Sequence, residues 1–242
     1  MIAALGWGAL AASSLVLGAL LAFARSWPPR QVGLVLAFGA GALISAVSFE
    51  LAAEGLRVGG LGTMAIGLGL GALTYYALDG LIASRTSASR GRAGRAGGSN
   101  PGTALALGAF LDGIPEQLVL GIGLAGGEGI GIGLLVAIFV SNLPEAIGSA
   151  SEMRKGGVGE RKIIRLWGAV AAICTLATVA GFAIADVVSG DLRAIIDGFA
   201  AGALLVMLID SMIPDATRES GRVAGLVTTL GFAVATALSS LS

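Results

Sequence analysis

Eight apolar stretches, separated by short charged or glycine-rich turns, divide this chain almost from end to end. They run over 2–24, 32–51, 61–83, 103–124, 130–150, 166–187, 194–213 and 223–241. Each is long enough to cross a hydrocarbon layer of ~30 Å as a helix rising ~1.5 Å per residue. Lipid offers no partner to backbone N–H and C=O groups, so such stretches must satisfy themselves as helices. The alternating ten-residue segments of a membrane barrel are absent. Composition agrees, with 12% charged residues where a soluble domain carries about 25%. The expected fold is all-α, a polytopic membrane protein of eight transmembrane helices forming a single domain over 1–242. The first stretch ends on Ala22-Phe23-Ala24, as a cleaved leader might. It lacks a basic n-region and exceeds a typical h-region, so it is read as a span.

Basic residues set the expected orientation. Thirteen of the fifteen Lys and Arg follow spans 1, 3, 5 and 7, and only Arg57 and Arg193 follow spans 2 and 6. The positive-inside rule then places the odd loops in the cytoplasm and both termini outside, as expected of a multi-pass protein of the cell membrane. Residues 85–101, rich in Arg, Ser and Gly, read as a flexible cytoplasmic loop.

Two pairs of segments repeat. Phe38-Gly-Ala-Gly-Ala-Leu43 in span 2 resembles Phe199-Ala-Ala-Gly-Ala-Leu204 in span 7. Phe110-Leu-Asp-Gly-Ile-Pro-Glu116 in span 4 resembles Phe139-Val-Ser-Asn-Leu-Pro-Glu145 in span 5. The members of each pair run in opposite directions, so both are inverted repeats, a construction that transporters use around a midplane site.

Several chemistries are excluded. With no histidine, imidazole ligation and His-dependent catalysis are out of reach. The lone Cys174 excludes a disulfide framework and any multi-cysteine metal site. Zero net charge without like-charged blocks gives no support to nucleic-acid binding. Gly-Ile-Gly-Leu-Ala-Gly at 121–126 matches a dinucleotide fingerprint in letters only, with no strand before it, and no organic cofactor is expected.

What remains is oxygen. Asp112, Glu116 and Glu145 lie well inside spans 4 and 5. A carboxylate at a helix centre costs roughly 2.5–3.5 kcal/mol to insert, so three cost on the order of 10 kcal/mol unless something offsets them. No Lys or Arg stands at matching depth. Asp112 and Glu116, four apart, share one helix face. Asn142 and Ser141 fall three and four residues before Glu145, so span 5 carries a polar stripe too. Pro115 and Pro144 each remove a helical donor and free carbonyls one turn back. Carboxylates, an amide, a hydroxyl and freed carbonyls are the ligands that hard divalent cations take. The bland alternative is that the prolines only kink helices and the acids satisfy internal hydrogen bonds. Glu50 and Glu54, near the outer end of span 2, line an entrance, or Glu50 completes the site, or Glu54 reaches the interface. Asp79 and Asp210, near the inner ends of spans 3 and 7, fit either an exit path or interfacial solvation.

These motifs resemble those of the ZIP family of divalent metal transporters, whose spans 4 and 5 each carry roughly His-Asn-x-Pro-Glu-Gly. Here they read Asp112-Gly113-Ile114-Pro115-Glu116-Gln117 and Ser141-Asn142-Leu143-Pro144-Glu145-Ala146. Span 2, ending Phe49-Glu50-Leu51-Ala52-Ala53-Glu54, is similar to the family's Phe-x-His-Leu-Leu-Pro-Glu stretch with Glu50 at the histidine position. Span 7, ending Leu208-Ile209-Asp210-Ser211-Met212-Ile213-Pro214-Asp215, is similar to Leu-Val-Asp-x-Leu-Pro-Glu. The resemblance implies a carrier, not an enzyme, that moves a divalent cation of the zinc, manganese or iron(II) class towards the cytoplasm. It also implies alternating access, a homodimer in the lipid bilayer, and one metal site formed by Asp112, Glu116, Asn142 and Glu145. Asp112 and Ser141 stand where the family has histidines, and Gly113 replaces an asparagine that helps build a second metal position. These departures move the expected preference towards harder ions.

Two other readings compete. An intramembrane aspartyl protease built on Asp79 and Asp112 would need a Gly-x-Gly-Asp motif that neither aspartate has. A proton-coupled carrier of another solute, or a metal-binding membrane protein that transports nothing, would share the carboxylates. An organic anion would want a basic residue at depth, and the spans offer none.

Overall fold

The computed structural model describes residues 1–92, 101–125, 132–188 and 190–240, with side chains described except at 82–92, 101–112 and 186. Among these residues there is no strand. The helices are α1 (Ile2–Ala24), α2 (Pro29–Ala46), α3 (Ala53–Arg92), α4 (Pro101–Ala125), α5 (Ile132–Lys155), α6 (Glu160–Ile184), α7 (Gly190–Met207), α8 (Ile213–Ser220) and α9 (Val223–Ser239). Two π-helical segments, Val47–Ala52 and Leu208–Met212, join α2 to α3 and α7 to α8 without a turn. Five helical stretches are long and apolar enough to cross a membrane. One of them, Pro29–Leu81, contains 53 residues, far more than one crossing needs. Gly60 breaks it with φ +78° and ψ 179°, a conformation that glycine adopts cheaply. The α3 backbone continues to Arg92, taking in the start of the expected 85–101 loop, while 93–100 lie outside the described residues.

Small residues decide how the helices pack. The buried face of α1 repeats Ala4, Gly8, Ala11, Leu15, Gly18 and Ala22 at helical spacing. It lies on α5 and α6, where Gly18 meets the Leu143 carbonyl and Ala146 and Gly8 meets Thr178. Trp167, with Ala146, Ala150, Ile163 and Cys174, forms the core between these three helices. A second core joins α2, α3, α7 and α9 to the opposite side of α5 through Ala137 and Ile138. So α1, through Ala11, and α5 contribute to both clusters.

Within the second core, two helix crossings share a pattern. A Cβ on Gly41 of α2 would strike the Thr228 carbonyl of α9, and one on Gly231 would strike the Phe38 carbonyl of α2. In the same way Gly202 of α7 faces the Leu68 carbonyl of α3, and Gly71 faces the Phe199 carbonyl. Backbones this close gain dispersion contacts that lipid tails cannot match, which is the use of glycine in membrane helix packing.

Candidate metal site between α4, α5 and α6

Glu116 sits near the middle of α4 with 1% of its surface exposed, and among the described residues neither carboxylate oxygen has a hydrogen-bond partner. Its electrostatic neighbours are Glu145 and Asn142 from α5 and Cys174 from α6. Asn142 is itself 2% exposed. Glu145, one turn along α5 from Ser141 and Asn142, is partly buried and has Asp215 as its own acidic neighbour. Both helices run through their prolines, Pro115 and Pro144, unbroken. An orphaned carboxylate in a dry helix interface is the costliest polar arrangement a membrane protein can hold, and it marks function more often than structure.

The next residue explains how the helices keep register. Thr178 of α6 donates its hydroxyl to Oε1 of Gln117, a buried contact between side chains 61 positions apart. Gly121 and Gly181 let the α4 and α6 backbones meet just beyond it.

From Glu145 a cavity of about 370 Å³ leads to the arginine-rich end of the bundle. Its lining includes Asp79, Glu145, Glu152, Asp215 and Glu219, against Lys155 and Arg218. Asp79 thus borders the cavity, whereas Asp210 is an exposed residue of the π-segment and is not part of that lining. At the other end of α5, Glu50 accepts a hydrogen bond from the Leu134 N–H at 3.0 Å and another from Ser239. Leu134 belongs to the first turn of α5, so Glu50 caps that helix from a remote segment. Leu134 and Asn142 are separated by about 12 Å of helix, and Glu50 is that far from the Glu116 cluster in this conformation. Ser141 is buried and donates to the Ile138 carbonyl at 3.1 Å, and its backbone lies against Gly39 of α2. Glu54 meets Arg57 at 2.7 Å and Arg193 at 3.0 Å. The Asp112 side chain lies outside the described residues. Among the described residues, no three acidic or thiol side chains converge tightly enough to hold a metal ion.

Two buried groups escaped the sequence reading. Asp197 of α7, 2% exposed, has Arg193 at 3.9 Å. Its signal was the Arg-to-Asp spacing of four on one helix face. Cys174 had served only to exclude disulfides, although its place in the middle of span 6 put it level with the acids of spans 4 and 5.

The family model for the ZIP zinc transporter matches residues 83–239, which carry α4 to α9 and the whole Glu116 cluster. The chain belongs to the ZIP zinc transporter family, and its class of activity is the transport of metal ions across a membrane. No curated protein matches it.

Proposed function

We propose that the protein carries a divalent cation towards the cytoplasm through one midplane site built by Asp112, Glu116, Asn142 and Glu145. The observation that carries this reading is Glu116, buried at 1% exposure with both oxygens unpartnered beside an amide and a second acid. A cation would supply the missing partner. With oxygen ligands from these four residues, the manganese and iron(II) class suits the site, and zinc binds carboxylates as well. The acidic cavity beyond Glu145 supports an exit path on the arginine-rich side. Glu50, which caps α5 at the opposite end, serves as an entrance residue.

Eight crossings follow if Gly60 separates two spans within Pro29–Leu81 and if α4 and α9 each make one. The matched glycine crossings of α2 with α9 and of α3 with α7 support an inverted repeat in a single transporter domain. The thirteen-to-two split of basic residues supports external termini in the cell membrane.

Metal uptake into proteoliposomes tests the proposal. Wild type should take up manganese or zinc saturably, and Glu116→Ala should lose that uptake while remaining monodisperse in detergent. Removing a buried acid also removes an insertion cost, so the variant's stability should hold or rise. Wild-type uptake by Glu116→Ala would show that the cation does not pass this carboxylate.

A further inference from the structure

We infer that Cys174 supplies a thiolate ligand to the transported cation, reaching the Glu116 point from a third helix. The inference rests on the transport reading above and adds a ligand class to it. Cys174 is fully buried at the α4–α6 contact. A Cβ built on Gly113 would lie 2.7 Å from its sulfur, so the thiol fills the space that a side chain at 113 would otherwise take. That space adjoins Glu116, three residues along the same helix, and the Glu116 carboxylate is the charged neighbour of the sulfur. The register is not loose. Thr178, one turn beyond Cys174, is tied to Gln117, and the Gly121 and Gly181 contacts hold the two backbones together on the far side.

A buried cysteine is often no more than a small apolar side chain. Here it stands beside a carboxylate whose two oxygens find no hydrogen-bond partner among the described residues. An apolar neighbour would worsen their position, whereas a sulfur ligand joins them around a shared cation. When the cation binds, the sulfur lone pair forms the metal–sulfur bond, and the thiol proton is released to water. Nothing is oxidised. One sulfur added to the oxygen ligands makes a borderline set, which favours cadmium and zinc over manganese more than oxygen ligands alone do.

Because the chain has one cysteine, cobalt(II) reports the ligand directly. Cobalt titrated into the purified full chain should produce a sulfur-to-cobalt charge-transfer band, and Cys174→Ser should abolish it. In proteoliposomes, Cys174→Ser should lower the ratio of cadmium to manganese uptake by about tenfold or more, since even an outer-shell partner is worth that much in metal affinity. Cobalt bound to wild type without the band overturns the thiolate, and so does an unchanged cadmium-to-manganese ratio. Either result leaves the transport reading standing. A wild-type protein that neither binds cobalt nor takes up metal overturns both. If the serine variant does not fold, the wild-type spectrum still decides.

Discussion

At the arginine-poor end of the bundle, Glu54, Arg57, Arg193 and Asp197 form one partly buried chain of charges, whereas at the arginine-rich end Arg218 pairs with Asp215 and Glu219, and Lys155 with Glu152, through exposed basic side chains. The two ends use the same local grammar. Glu54 and Arg57 are an i, i+3 pair at 2.7 Å, and Asp215 and Arg218 are an i, i+3 pair at 2.9 Å. Burial separates them. The Arg193 side chain is 22% exposed and the Asp197 side chain 3%, while Arg218 is 68% exposed and Lys155 73%. Both basic residues of the arginine-poor end are spent on holding acids of α3 and α7. At the other end the acids face a cavity where water and a cation can reach them. The difference teaches that acids of one sequence type serve two purposes here, tying helices at one end and lining a cavity at the other.

The largest expected effect comes from cutting the buried chain. Arg193→Ala leaves Asp197 and Glu54 without a shared cation in a largely dry interface. Removing one partner of a buried pair costs on the order of 3 kcal/mol, the low end being apt because Arg193 keeps some exposure. Thermal unfolding in detergent should show a clear loss of stability. A variant as stable as wild type would mean that this end is as loosely held as the other.

A smaller effect is expected at Glu50. It reaches from a π-helical segment to the first turn of α5, so it ties two elements remote in the chain rather than two residues of one helix. Glu50→Ala should cost about 1 kcal/mol, the usual value of an N-cap. It should also speed amide exchange at Leu134 and its neighbours. Unchanged exchange there would show that the arginine-poor end is closed by packing alone.

Much of this was legible from the apolar stretches. Their helical state follows from lipid chemistry, and the Pro-Glu pairs marked α4 and α5 as the helices that matter. Three features were not legible. The π-segments at Val47–Ala52 and Leu208–Met212 lie at the expected ends of spans 2 and 7 and carry the helices on into α3 and α8, and one inserted residue leaves no mark in hydropathy. The contact of the Ser141 backbone with α2 depends on how α2 and α5 cross, and Gly39 sets that crossing from another part of the chain. Asp197 and Cys174 gain meaning only from neighbours 4 and 58 positions away, Arg193 and Glu116 respectively, and the second separation carries no helical period.

The smallest expected effect is the one that sharpens the contrast between the ends. Arg218 contacts Asp215 at 2.9 Å and Glu219 at 3.2 Å, so on distance alone it matches the best pair at the opposite end. Its exposure changes the arithmetic. Water screens both attractions, and a long side chain loses rotamer freedom to hold them, so exposed pairs contribute about 0–1 kcal/mol. Arg218→Ala should therefore shift unfolding by no more than about 1 kcal/mol. Added salt should shrink even that, since the Debye length falls to ~3 Å at 1 M. Uptake should respond differently from stability. Arg218 is one of two basic residues on a cavity lined by five acids, so removing it strengthens the local pull on a cation and slows its departure. The measurement is a pair of unfolding curves at low and high salt beside the uptake rate. A stability loss equal to that of Arg193→Ala would show that burial does not distinguish the two ends, and the acids of the cavity would then have to be counted as structural.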